Sequence, residues 1–513
     1  MSSLADRIRE IVAPPVVAGV AGAGPSVASD DVARGIRPDD VARGIRADEV
    51  AQGFSPAEHA GLPPSPEGFG EPHRSSPASC GSGGGKASAT ADAGAEIAAI
   101  LGGTWRHADG GRCFVVDRRW NRSALHGRER IGALAERLDR AAGEAPLFAG
   151  GTPARPPFVF FDLETTGLSG GAGTLAFLVG CAWFEGDGSF VTRQFLLARH
   201  ADERMLLEAV AAELARAGAL VSFNGKSFDA PLLEGRYLFH RLAWRGRDMP
   251  HVDVLHPARR FWKPRDGSPE RLRHAPATQH AEPFLGQGFR PAKTGHSGCS
   301  LQALERQIVG VRRTGDVPGF EIPGRYFQFI RSGDAAPLEA VLQHNRLDLL
   351  TLAALTARLL HMTAAGPDAI SDPREALALG SVYARAGLVA RARASYRRAI
   401  DRCRSPRGAY DPIRIDALRA LALACRRERR YEEAASCWHE LVDMRGCPEP
   451  IAREATEALA IHHEHRARDL SAAKAFVLRS LETGNGVGWA NAARYRLARL
   501  ERKIAGQSLK FEV

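Results

Sequence analysis

The stretch FVFFDLETTGLSGG, Phe158 to Gly171, decides how the rest of the chain is read. Its first four residues are aromatic or β-branched, the composition of a buried strand. Asp162 and Glu164 then stand two residues apart at the end of that apolar run. The side-chain period of a strand is two, so both carboxylates face the same side. Charged groups are almost never buried without a partner, and two anions on one face repel each other. A divalent cation resolves the conflict, because hard cations take carboxylate oxygens. Gly167, Gly170 and Gly171 permit a tight turn in which backbone approaches a ligand. A solvent-exposed strand end is the alternative for this motif standing alone.

The surrounding chain has 513 residues, room for about three or four units of ordinary domain size. Hydrophobic residues make up 44% and aromatic residues 7%, enough to build real cores. The formal net charge is +10, and the basic side is almost all Arg. Guanidinium binds phosphate bidentately, so the excess points to phosphate-bearing partners, although solvated surface explains much of it as well. The 8 cysteines are scattered without a C-x-x-C pair. That spacing argues against a disulfide framework or zinc ribbon and predicts reduced thiols in a cytoplasmic protein. No apolar run is expected to reach the roughly 18 residues of a membrane helix. The short PPVVAGVAGAG near the start does not read as a signal peptide.

Working outward, residues 1–95 are rich in Gly, Ser, Pro, Ala and Asp, with DDVARGIRP and DDVARGIRA in tandem at 30–38 and 39–47. Too few bulky residues are present for a core, which predicts a disordered or weakly helical leader. GSGGGKAS (81–88) lacks the spacing of a phosphate loop and reads as a linker. Residues 96–150 are expected to form a small α/β lead-in. Strands over FVFFDLETTG, GTLAFLVGCAWF, FVTRQFLLAR, ALVSFNG and HVDVLH, with helices between the later ones, predict a mixed sheet flanked by helices across 151–365. Residues 263–297 are Pro-, His-, Arg- and Gly-rich and read as an inserted surface loop. From 370 to 513 small and aromatic residues recur at the offsets of helical-hairpin repeats of the tetratricopeptide type. Ala392, Ala434 and Ala473 mark three copies at long steps, an all-α repeat domain.

Asp162 and Glu164 have companions. SFNGKSFDAPLL places Asn224 and Asp229 in a turn leading into a helix, and HNRLDLL places His344 and Asp348 one helical turn apart. Asp348 stands inside an apolar run, an awkward site for an unpaired carboxylate.

The order Asp-x-Glu, Asp, His-x-x-x-Asp resembles the DEDD superfamily of 3′–5′ exonucleases, the DnaQ-like branch of the ribonuclease-H-like fold. FDLETTG, NGKSFDAPLL and HNRLD match its three motifs in order, and the helical tail resembles that of the YprB-like bacterial group of exonucleases. The resemblance covers about two thirds of the chain. It implies that Asp162, Glu164, Asp229 and Asp348 hold two divalent ions, Mg²⁺ or Mn²⁺, for hydrolysis of phosphodiester bonds. It implies His344 as general base, although this histidine stands at the spacing that tyrosine-type members use. Thr165, Thr166 and Leu168 would cradle the terminal nucleotide, with Asn224 orienting Asp229 or contacting substrate and Lys226 contacting phosphate. RRFWKPR (259–265) would add phosphate contacts and base stacking on Phe261 and Trp262. Asp316 and Glu321 are expected to border the cleft. The partners expected are a single-stranded or frayed nucleic acid and a protein bound by the helical repeats, with no membrane. Two alternatives stand beside the exonuclease: a non-catalytic adaptor built on a nuclease-like scaffold, and a structure-specific endonuclease of the same broad fold.

Overall fold

A computed structural model describes residues 94–108, 111–167, 173–263, 298–406, 408–482 and 487–511. The leader with its repeats, the GSGGGKAS linker, the insert beyond Lys263 and Leu168 lie outside the described residues.

After a first helix, α1 (94–101), strands β1 (Thr104–Ala108) and β2 (Gly111–Trp120) open the chain, followed by a two-residue hairpin of β3 (Leu125–His126) and β4 (Glu129–Arg130). Helix α2 (Ile131–Ala141) leads to β5 (Phe158–Thr165), β6 (Ala176–Phe184) and β7 (Phe190–Leu196). Helix α3 (Glu203–Leu214), β8 (Ala219–Ser222), α4 (Asp229–Phe239), β9 (His251–Asp253) and α5 (Leu255–Trp262) alternate after that. The seven-stranded sheet has the order β1-β2-β7-β6-β5-β8-β9. β5 pairs antiparallel with β6 and parallel with β8, so the opening stretch lies where the sheet changes character. Tight turns suffice on the antiparallel side, whereas α3 and α4 supply the crossovers that parallel strands need. The mixed sheet flanked by helices is the architecture expected. The 96–150 segment, read as a lead-in, is woven into that same sheet, because β1 pairs with β2 and β2 pairs with β7.

Alternation along β5 feeds two cores. Val159, Phe161 and Leu163 pack in one, and Phe158 and Phe160 pack in the other with Leu349 and Leu352. Asp162 and Glu164 continue the row of Phe158 and Phe160. A short helix α6 (Leu301–Leu304) runs into a π-turn over Glu305–Val309 that ends at Gly310 with φ 84°. Helix α7 (Ile322–Ser332) and the 30-residue helix α8 (Ala336–Ala365) follow. α8 is long and apolar enough to cross a bilayer, contrary to the expectation that no run would be. Because 72% of its apolar window is buried inside the protein, it serves as a central core helix. Gly180 on β6, the register partner of Asp162, admits α8 to the sheet. A Cβ there would lie 2.2 Å from Asn345 Oδ1 and 2.8 Å from Leu349 Cδ1.

The C-terminal region is all helical. α9 (Pro373–Arg385) pairs with α10 (Val389–Arg402), α11 (Pro412–Arg427) with α12 (Tyr431–Asp443), and α13 (Glu449–His462) with α14 (Leu470–Glu482), before α15 (Val487–Phe511). Asp372 and Asp411 cap α9 and α11, each ahead of a proline at the first helical position. The small and aromatic residues set the register: a Cβ at Gly380 would sit 2.4 Å from the Tyr396 ring. Ala392, Ala434, Trp438, Ala473 and Val477 are all buried. The two regions meet at α5, where the Trp262 indole donates to Glu375 Oε1 at 2.9 Å. Phe261 and Trp262 are only 1% and 7% exposed, so the expectation that they stack bases is corrected. Their rings face the hydrophobic core shared with the repeats, because burial of that much apolar surface outweighs display.

Candidate active site

The ladder between β5 and β6 shifts register between Glu164 and Thr165, which ends regular pairing where the acids stand. Asn345 on α8 donates to Asp162 Oδ2 at 3.0 Å. Gln194 on β7 in turn donates to Asn345 Oδ1 at 2.9 Å and to the Leu342 carbonyl at 2.8 Å. A fully buried amide pair thus fixes the side chain that touches the first carboxylate.

Asp229 begins α4, with its carboxylate folded over the preceding turn. A Cβ at Gly225 would come 2.9 Å from Asp229 Oδ2 and 2.5 Å from Ser222 Oγ. That turn is held by Asp253 at the end of β9, which accepts from the backbone N–H of Asn224 (2.8 Å), Lys226 (3.2 Å) and Leu255 (3.1 Å). Asn224 adopts φ 71°, a conformation that asparagine tolerates better than most residues.

On α8, His344 Nε2 lies 3.4 Å from Asp348 Oδ2, and its Nδ1 lies 2.8 Å from Asp316 Oδ1. Asp316 also accepts from Gln302 (3.0 Å), from Arg313 (3.2 Å) and from the Val317 N–H (3.0 Å). Arg313, 5% exposed, bridges Asp348, Asp316 and Glu305. Glu305 is further held by the Thr351 hydroxyl at 2.7 Å. A cleft of about 840 Å³ opens beside Asp316, with Arg306, Arg312 and Arg313 in its wall.

Electrostatics tie the four predicted acids into one cluster. Burial, then the Asp348, Glu164 and Asp229 charges, push the Asp162 pKa well above the carboxylate range, against the Asn345 hydrogen bond that lowers it. Burial, then Asp348, Asp229 and Asp316, do the same to Glu164. Burial and the Asp253 charge raise Asp229 to about 7. Among the described residues no three His, Cys, Asp or Glu side chains already stand as a metal cage. Arg313 accounts for part of this, since it occupies one oxygen of Asp348. The donor chemistry still fits divalent ions: desolvated carboxylates crowd together with more negative charge than one guanidinium neutralises.

The structure brings Asp162, Glu164, Asp229, His344 and Asp348 together and adds Asp316, which was expected at the border. Glu321 instead pairs with Arg325 at 3.3 Å on the surface of α7. The Thr165 hydroxyl donates to the Gly167 carbonyl at 2.9 Å, and the Thr166 hydroxyl accepts from the Leu175 N–H at 3.0 Å. Both hydroxyls therefore shape the turn itself. Lys226 is exposed at the mouth of the Asn224 turn. Sequence reasoning missed Asn345, Arg313, Asp253 and Gly180. Asn345 adjoins the His344 motif, and Asp253 interrupts an apolar HVDVL run, so both left a signal; Arg313 and Gly180 left none.

A family model for the RNase H superfamily matches residues 159–360, and a tetratricopeptide-repeat model matches residues 373–437. The chain is similar to an uncharacterized protein, YprB, of Bacillus subtilis (strain 168). Identity is 29% over 349 residues, 67% of this chain and 75% of that protein. An RNase H-like domain suggests nucleic-acid hydrolysis, and tetratricopeptide repeats suggest protein interactions. The chain thus carries an RNase H-like superfamily domain followed by tetratricopeptide-type repeats.

Proposed function

We propose that the protein is a metal-dependent 3′–5′ exonuclease that hydrolyses single-stranded or frayed nucleic acid in the cytoplasm, with its helical repeats recruiting a partner. The observation that carries this reading is the gathering of acids around Asp162 and Glu164, whose pKa values are raised by burial and then by the nearby Asp348 and Asp229 charges. Bystander carboxylates on a scaffold are under no need to stay so crowded, which disfavours the adaptor. Asp162, Glu164, Asp229 and Asp348 would hold two Mg²⁺ or Mn²⁺ ions. Bound there, they would supply acidification of the attacking water and neutralisation of charge on the scissile phosphate.

The remaining work falls to the chain. Ionised Asp316 only accepts hydrogen bonds, so its contact at 2.8 Å places the proton of neutral His344 on Nδ1. Nε2, 3.4 Å from Asp348 Oδ2, then carries the lone pair, and it takes the proton of the attacking water. Arg313 fixes Asp316 and Asp348 in position, and Asn345 orients Asp162.

The test is digestion of 5′- and 3′-labelled DNA and RNA oligonucleotides with Mg²⁺ or Mn²⁺, wild type against Asp162→Ala. The expected result is stepwise shortening of 5′-labelled strands and early release of labelled mononucleotide from 3′-labelled ones, both abolished by the substitution. Digestion that needs no metal, or that survives Asp162→Ala, overturns the reading.

A further inference from the structure

Helix α5 has two faces of opposite chemistry. Ala258, Phe261 and Trp262 are buried toward the core, whereas Arg259, Arg260 and Lys263 at its C-terminal end are exposed. The exposed face lines a cleft of about 620 Å³ whose opposite wall is built from α9 and α11 of the repeat domain. Arg374 and Arg419 enter from that wall, and Asp416 is the one carboxylate among the lining residues, so five basic side chains meet one acid. Arg419 is engaged by Glu454 at 2.5 Å. Among the described residues no carboxylate pairs with Arg259, Arg260 or Lys263. Like charges are even held near one another here: burial and the neighbouring Arg385 push the Arg260 pKa down. Three cations on one wall with no carboxylate partner among the described residues, facing two further guanidinium groups, call for an anionic occupant. Leu377 and Leu423 give the same cleft an apolar floor, on which sugar and base faces can rest.

We propose that this cleft between α5 and the repeat helices binds the sugar–phosphate backbone of a single-stranded nucleic acid, so that the repeat domain holds the strand as well as any protein partner. The choice of nucleic acid over an acidic peptide rests on the exonuclease reading, which supplies the strand. It also rests on guanidinium geometry, since planar forks match phosphate oxygens bidentately.

The test uses the full chain carrying Asp162→Asn, without metal, so that binding is measured with no cutting. Fluorescence anisotropy of a labelled single strand of about 20 nucleotides, a length that exceeds one local binding site, is followed across a salt series. Adding R259E and R260E together is expected to weaken binding at least tenfold. It should also flatten the plot of log K against log salt by about 1.4, the value for two lost phosphate contacts on a single strand. K263E alone should reduce the slope by about 0.7, while R140E on distant α2 leaves it unchanged. Circular dichroism establishes that each variant is folded. Unchanged affinity and slope in both cleft variants overturn the proposal, as does an acidic peptide that binds wild type and loses affinity in R259E/R260E while the oligonucleotide does not. Failure of the two readings is separable. Weakened binding in the cleft variants, together with a wild type that digests nothing with metal, leaves the cleft standing and removes the exonuclease. Digestion by wild type together with unaltered binding in the variants does the reverse.

Discussion

Two regions of this molecule hold carboxylates partly or wholly away from water, with opposite electrostatic results. Glu203 at the start of α3 is 4% exposed and receives Arg236 Nε at 2.6 Å and His240 Nε2 at 2.7 Å. Burial pushes its pKa up, but the Arg236 and His240 hydrogen bonds outweigh burial and leave it below the usual range. Glu464, beyond α13, behaves alike: burial is overcome by Lys503 at 2.7 Å and Arg499 at 2.6 Å. Asp162 and Glu164 are half-buried, yet their neighbours are other acids, and both pKa values rise. A structural acid is given its cation by the fold itself. Carboxylates left to repel one another lower stability, and their retention together is understandable when a ligand from outside completes them. Arg313 marks the boundary between the two regimes, serving the structural Glu305 and the site's Asp348 with one guanidinium.

The contrast can be broken at its strongest point first. Asp162→Asn should reduce exonuclease turnover by about 10³-fold, the scale of losing a group that stabilises transition-state charge, while thermal unfolding of the metal-free protein stays the same or moves upward. Glu203→Gln should do the opposite, leaving turnover per folded molecule intact and lowering stability by about 3 kcal/mol, because buried Arg236 loses the charge of Glu203. Denaturant titration together with single-turnover assays measures both, and equal stability losses in the two variants would erase the distinction drawn above. His344→Ala should slow the reaction by about 10²-fold at saturating metal. An unaltered rate assigns the water's proton elsewhere without touching the four acids.

The smallest effect concerns protons at the proposed metal ligands. With a pKa of about 7, Asp229 holds its proton below neutral pH in the metal-free protein and must release it to bind an ion. Affinity for Mn²⁺ should therefore fall by at least about tenfold per pH unit below neutrality. Calorimetric titration at several pH values checks this, and a flat dependence would mean that Asp229 is already ionised. The same sign applies to folding. An acid whose folded pKa is raised binds its proton more tightly than the unfolded chain does. Its burial therefore costs stability increasingly as pH climbs from the unfolded pKa to about 7.

Much of the fold and of the site was legible because it depends on local periodicity. The period of two set Asp162 and Glu164 on one face, and four-residue helical spacing set His344 beside Asp348. Small and aromatic positions announced the repeats through Gly380 and Tyr396. Phe261 and Trp262 were misread because an aromatic beside arginines looks the same in sequence whether it faces a nucleic acid or a neighbouring helix. Only contact with Glu375, more than a hundred residues away, makes the difference.

The sequence by itself determined which residues are candidates for the proposed chemistry, since residue type and short-range spacing are written directly into it. Tertiary structure alone decided who their neighbours are. It brought Arg313 to Asp348, Asp316 to the far nitrogen of His344 and Asn345 to Asp162, and it left Gly180 bare so that α8 could lie on the sheet. The physical reason is that a pKa, a tautomer and an ion pair depend on distance through space in a desolvated interior, and that distance is set only when the strands and helices pack.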